Sequence, residues 1–212
     1  HGHFHPWNMN LVFIITVAFG RSAQIARCLL EFHPDIPIEK HIIVQAHYPI
    51  DPERNNEEIR LIVDSYEKHC NYPVELWDPG DDIGSAQSQN WALKQLGLRD
   101  DDAWLNLDGD SACRDLHWMG AMQQVLEKEP KCAFVSLNSP MVQRFVRAPF
   151  EEKQIHGWLG EFRIGIQNRP TPFNMTMWRG SFINQIGEYS QVGSQWGELE
   201  SLQYHNCQRL GL

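Results

Sequence analysis

Cations are scarce in this chain of 212 residues: Lys and Arg number 18 against 27 Asp and Glu, a formal net charge of −9. A surface of that sign is a poor general binder of nucleic acid or anionic membrane, because phosphate binding is driven by clustered cations. It still leaves room for a local basic pocket around one phosphorylated ligand. Long apolar runs are missing too. The longest, Leu11 to Phe19, is too short to cross a bilayer, and the leading HGHFHPWN lacks the apolar core of a signal peptide. Cysteine is sparse and dispersed: five residues, Cys28, Cys70, Cys113, Cys132 and Cys207, with no C-x-x-C pair. An odd, scattered set reads as reduced thiols, and the expected compartment is cytoplasmic. Internal repeats and low-complexity linkers are absent, so the expectation is one domain over residues 1–212, with 1–10 flexible. With 42% hydrophobic and 21% charged residues, the composition is that of a globular chain with a substantial core.

What is present is a rhythm. Leu11–Ala18 is nearly all apolar and β-branched, as a parallel strand covered on both faces requires. Gly20-Arg21-Ser22 breaks it, with Ser22 as a candidate helix cap, and Ile25, Cys28, Leu29 and Phe32 follow at helical spacing up to Pro34. His41–Ala46 is the second strand. A helix from Asn55 or Asn56 carries Ile59, Ile62, Val63 and Tyr66, and Val74–Trp77 is the third strand. The loop DPGDDIG leads to a helix over Ser85–Leu96. Ala103–Leu107 is a strand, Leu116–Leu126 a helix and Cys132–Leu137 a strand. Such strict alternation predicts an α/β fold, a mostly parallel sheet flanked by helices on both faces. The rhythm then lapses over 139–171, rich in Pro, Gly and aromatics, which reads as an irregular elaboration on the acceptor side. Phe173–Trp178, a turn at Gly187 and a helix over Gly197–Leu210 complete the pattern.

Three stretches could carry chemistry. Asp108-Gly109-Asp110 ends an apolar strand, and ligands of open α/β sheets bind beyond the strands' carboxyl ends. Two carboxylates one residue apart can share a hard divalent cation, Mg²⁺ or Mn²⁺, bridging a pyrophosphate. Taken out of context D-G-D is turn chemistry; its place after WLNL favours the site. Gly84-Ser85, opening a helix, offers backbone N–H groups to an anion, or is simply a helix start. Glu198 and Glu200 in WGELE could supply a general base, or merely complement a helix dipole. Of the ten histidines, His205 is a candidate third metal ligand, or a helical surface residue.

In this order the motifs resemble the GT-A glycosyltransferases, especially the large inverting family that includes chitin, cellulose and chondroitin synthases. LVFIITVAFGRSAQIARCLLEF resembles the family's first strand, loop and helix, and HIIVQAHYP its second strand. GSAQSQNWAL is similar to its Gly-rich stretch, WLNLDGDS to the strand with the DxD metal motif, and NMTMWRGSFINQIGEYS to the strand after the acceptor region. WGELESLQYHNCQRLG resembles the closing acid motif. The resemblance spans Leu11 to Leu212. It implies that Thr16, Ala18 and Arg21 border the nucleotide beside Gly84 and Asn90, that Asp108 faces the ribose or metal, that Asp110 holds the metal, and that Glu198 or Glu200 is the base. Three positions depart from the pattern: Gln45-Ala46-His47 stands where the family carries an acid that reads the base, Gln89 replaces an Arg, and Leu199 separates the two closing acids.

The expected function is metal-dependent transfer of a sugar from a nucleoside diphosphate sugar to an acceptor hydroxyl by single displacement, with Mn²⁺ or Mg²⁺ as cofactor. The acceptor could be a glycan, a protein or a modified nucleic acid. Phe150, Trp158, Phe162 and Trp178 are candidates for an aromatic sugar wall, or for core. The alternatives are a nucleotidyltransferase of similar fold, which calls for a Gly-rich phosphate loop with a basic residue after the first strand, where Ala18-Phe19-Gly20-Arg21 holds only one Gly and one Arg, and a non-catalytic domain that binds a sugar nucleotide.

Overall fold

The first strand sets the architecture. β1 (Val12–Ala18) is buried along nearly its whole length, so both of its faces must be covered. In the computed structural model it pairs in parallel with β2 (Lys40–Gln45) on one side and with β4 (Ala103–Leu107) on the other. The structure describes residues 11–81, 83–113, 115–137, 151–157, 159–166 and 175–186. Around β1 lie α1 (Ser22–Glu31), α2 (Pro52–Glu67), β3 (Val74–Trp77), α3 (Gly84–Leu96), α4 (Trp118–Lys128), β5 (Phe134–Ser136), β6 (Glu151–Gly157), β7 (Gly160–Ile166), β8 (Met175–Arg179) and α5 (Gly180–Ile186). The main sheet has six strands in the order β3-β2-β1-β4-β8-β5.

Alternation along the strands divides the core in two. Val12, Ile14, Ile43, Leu105 and Leu107 face α1, α2 and α4, where they meet Ile25, Leu29, Ile59, Met119 and Met122. Phe13, Ile15, Ile42, Val44 and Trp104 face α3 and α5, against Ala92, Leu93 and Phe182. The expected sheet with helices on both faces is therefore present. Its order also creates a switch point: β1, β2 and β3 step one way, the chain then returns to put β4 on β1's other side, and a crevice opens beyond the carboxyl ends of β1 and β4.

Several local expectations change. Ser22 does not cap α1; its Oγ donates to Glu58 Oε2 at 2.7 Å, tying α1 to α2. The second helix starts at Pro52 rather than Asn55 or Asn56, because proline suits the first helical position. Within 139–171, read as irregular, β6 and β7 form a regular antiparallel hairpin that closes from Glu151↔Ile166 to Gly157↔Gly160. β6 is polar apart from its buried Ile155, whereas β7 alternates Phe162, Ile164 and Ile166 with Glu161, Arg163 and Gly165, the period of a strand, inside a stretch whose prolines and glycines read as irregular. β8 runs antiparallel between β4 and β5. There Trp178 is fully buried, stacks on Trp104 with ring planes 8° apart, and lies 5.1 Å from the Phe182 ring, so this member of the proposed sugar wall is core. Phe150, Trp158 and the side chain of Phe162 lie outside the described residues, as does the expected helix over 197–210.

One buried group makes stability depend on pH. His41 of β2 is wholly buried and is hydrogen-bonded to Thr16 Oγ1 at 2.9 Å and to Tyr66 Oη at 3.2 Å. Desolvation disfavours the imidazolium, and the pKa is pushed down from 6.5 to about 3. Above pH 6.5 the ring is neutral in both states and the native state keeps its full advantage. As pH falls from 6.5 towards 3, the unfolded chain takes up a proton that the folded chain refuses. Stability drops across that window with a slope approaching about 1.4 kcal/mol per pH unit. Urea unfolding from pH 7 to 4 should show a slope steeper by about one proton in the wild type than in His41→Gln; equal slopes in both proteins would show that His41 does not stay neutral.

Candidate functional site

Four loops meet at the carboxyl edge of the sheet, one after each of β1 to β4. In the first, Gly20 and Arg21 are consecutive left-handed residues, with φ of 60° and 54°, and they swing the chain from β1 into α1. Gly20 also lies against the Tyr48 ring, where a Cβ would come within 3.0 Å. In the fourth, Asp108-Gly109-Asp110 follows β4, and a Cβ on Gly109 would press on Ile25 of α1 at 3.0 Å. The glycine between the two acids is thus a packing requirement of the loop against the first helix.

These two loops are joined. Arg21 Nη1 donates to Asp110 Oδ2 at 3.1 Å, a contact between side chains 67% and 48% exposed. The Asp108 carbonyl accepts the Ser111 N–H at 2.9 Å and faces the Cys28 thiol at 3.4 Å. Burial pushes that thiol up to about 12, with the Asp108 and Asp110 charges adding to the effect, so Cys28 stays protonated and serves as a donor. The Asp108 side chain is braced from behind: Asn106 Nδ2 donates to its Oδ1 at 3.2 Å, and Gln89 Nε2 of α3 donates to Asn106 Oδ1 at 2.6 Å.

The second and third loops add a cluster around Asp78, a residue that the sequence reading did not mark, with His47 of the Gln45-Ala46-His47 departure. His47, itself left-handed at φ 45°, is hydrogen-bonded to Asp78 Oδ1 and accepts from Asn56 Nδ2 at 3.1 Å. Burial raises the Asp78 carboxyl, but the hydrogen bonds from His47 and from the Gly80 N–H outweigh it and hold the group below its ordinary range. Tyr48 sits edge-on to Phe19 with ring centroids 5.0 Å apart. The signal for Asp78 was its place after an apolar strand, in the same position that marked Asp108.

The structure brings Arg21, Asp108 and Asp110 together at one edge. Ala18 ends β1, fully buried, its carbonyl accepting from the Ala46 N–H at 2.9 Å. Thr16 lies deeper in the strand, with its hydroxyl engaged by His41. Gly84 opens α3 and accepts from Ser88 Oγ through its carbonyl, while Asn90 is buried farther along the same helix. Glu198, Glu200 and His205 lie outside the described residues.

Asp108 and Asp110 offer hard carboxylate oxygens of the kind Mg²⁺ and Mn²⁺ take. Such ions keep several waters and are commonly held by one or two carboxylates with substrate phosphates. Among the described residues no three His, Cys, Asp or Glu side chains gather into a set that could hold a metal. The pair therefore fits an ion shared with a ligand's phosphates better than a protein cage. That Asp110 already holds a guanidinium shows that the position suits positive charge.

No protein-family profile matches the chain, and no curated protein sequence matches it. Solved structures of similar fold include a 4-diphosphocytidyl-2C-methyl-D-erythritol synthase, at 11% identity over 96% of this chain and 86% of that one, with a TM-score of 0.46. A CMP:2-keto-3-deoxy-manno-octonic acid synthetase complexed with CTP matches at 9% identity over 95% and 86%, again at 0.46. HddC from Yersinia pseudotuberculosis matches at 12% identity over 83% and 80%, at 0.41. Likeness at this level assigns no activity to the chain.

Asp110→Asn should abolish Mn²⁺-dependent nucleotide binding in a calorimetric titration. It should shift the melting temperature little, because an exposed ion pair is worth roughly 0–1 kcal/mol. Retained Mn²⁺-dependent binding would remove Asp110 from the site.

Proposed function

We propose that this chain is a metal-dependent transferase that acts at the phosphates of a nucleotide, bound in the crevice beyond β1 and β4. The observation that carries the reading is the Arg21–Asp110 contact, in which the guanidinium of the loop after β1 meets the carboxylate pair of the loop after β4 at the switch point of the sheet. A divalent ion, when bound, would neutralise the developing charge on the leaving phosphates. Asp110 would hold it with Asp108, and Arg21, released from Asp110, would turn its donors to a phosphate oxygen, for which a guanidinium is well shaped. On the β2 side, Phe19 and Tyr48 offer aromatic surface and His47 with Asp78 a polar edge, a combination suited to a nucleobase.

Two reactions share these parts and differ in the bond broken. In nucleotidyl transfer an oxygen of a sugar or sugar phosphate attacks the α-phosphorus and pyrophosphate leaves. In glycosyl transfer an acceptor hydroxyl attacks the anomeric carbon and the nucleoside diphosphate leaves. The described contacts favour the first, because it needs a basic residue in the loop after β1, and Arg21 stands there against Asp110. Glycosyl transfer follows from the motif resemblance, and its base would come from Glu198 or Glu200. In either reaction rate would come mainly from positioning and from charge placed where the leaving group develops it.

The test is a product assay with Mn²⁺, offering CTP or UTP with a sugar phosphate in one arm and nucleoside diphosphate sugars in the other. We expect pyrophosphate release in the first arm, lost in Arg21→Ala and Asp110→Asn. Release of nucleoside diphosphate in the second arm alone would establish glycosyl transfer instead. Neither product over a full nucleotide panel would overturn the transferase reading.

A further inference from the structure

Two polar side chains lie where the fold asks for apolar ones. Asn106 points to the α3 side of β4, beside the layer built from Ile15, Val44, Trp104 and Leu93, and is 3% exposed; Gln89 of α3 meets it there at 9% exposed. Amides in such surroundings cost free energy unless their hydrogen bonds are made. Here the bonds run in one direction. Gln89 Nε2 donates to Asn106 Oδ1, which leaves the Asn106 Nδ2 end facing Asp108 Oδ1. An Asn amide is nearly symmetric in shape, and what tells its oxygen end from its nitrogen end is its partners. Without the Gln89 donor, Asn106 would lose the bond that anchors its oxygen end and would hold the Asp108 carboxylate less firmly.

We infer that Gln89 is a positioning residue: through Asn106 it fixes the orientation of the Asp108 carboxylate and so sets the cation affinity of the crevice. The inference rests on the reading of Asp108 and Asp110 as the cation's ligands. It gives α3 a part in the site through its buried face rather than through its N-terminus. Residues that orient a metal ligand from behind typically change metal affinity 10–100-fold when lost.

The experiment is a Mn²⁺ titration followed by electron paramagnetic resonance, with Mn²⁺ alone and with Mn²⁺ plus CTP or UDP. It compares wild type, Gln89→Met, the double variant Gln89→Met with Asn106→Leu, and Asp110→Asn. The double variant replaces both amides with apolar groups of similar size, which can be neutral for folding, so it remains informative if the single variant is unstable. We expect about tenfold weaker Mn²⁺ binding in both Gln89 variants, with the double variant melting near the wild-type temperature. A merely structural role for the amide pair would lower the melting temperature and leave the Mn²⁺ affinity of the folded protein unchanged. Affinities within twofold of wild type in both Gln89 variants would overturn the relay and leave the proposed function standing. Wild type that binds Mn²⁺ no better than Asp110→Asn, with either nucleotide, would overturn that function and the relay with it.

Discussion

Everything at the candidate site depends on the parallel pairing of β1 with β4. That pairing, in register from Val12↔Ala103 to Ile15↔Asn106, brings to one edge two loops that are 89 residues apart in sequence at their Arg21–Asp110 contact. It is favoured because both strands are apolar on both faces and can be buried only in the middle of a sheet covered by helices. The polar groups that could do chemistry are confined to where the strands run out. The hydrophobic pattern of two short segments thus decides where a carboxylate pair and a guanidinium meet.

The loops themselves are held by contacts that leave little choice of residue. Gly109 lies where a side chain would press on Ile25, Gly20 turns left-handed beneath Tyr48, and the Cys28 thiol is kept as a donor toward the Asp108 carbonyl. None of these touches a reacting atom. Together they hold the loop after β4 against α1 and the loop after β1 against Tyr48, and so fix where the backbone of Asp108 and Asp110 leaves the sheet.

Much of this was legible from the chain alone. Continuous apolar runs marked β1, β2 and β4, and alternation with helical periods gave the class of fold. The place of Asp108-Gly109-Asp110 after WLNL pointed to the edge where it is found. What was not legible depends on tertiary partners. β8 is an ordinary apolar strand by sequence, and nothing local says that it enters antiparallel between β4 and β5. In the β6–β7 hairpin only β7 alternates, through Phe162, Ile164 and Ile166, and its polar partner β6 gives no local sign of the pairing. Gln89 was visible only as a departure from a motif, and its connection to Asp108 through Asn106 exists only once α3 lies on β4. Asp78 was passed over as part of a turn-rich loop, although its position after β3 repeats that of Asp108 after β4.

The antiparallel entry of β8 bears on the order in which the chain can assemble. Residues 11–107 hold β1 to β4 and the helices between them, and each of those strands finds a sheet partner within that span. Among the described residues β5, at 134–136, pairs with β8 alone, and β8 is not synthesised until 175–179. During vectorial synthesis the half of the sheet that carries the Asp108 loop can therefore form while β5 still waits as an unpaired edge. Closing β5 onto the sheet means closing a loop of some forty residues and inserting a strand between two others, a non-local step that is slow compared with helix formation. β8, the last strand in sequence among the described residues, carries Trp178 onto Trp104, so burial of that indole pair should report its docking.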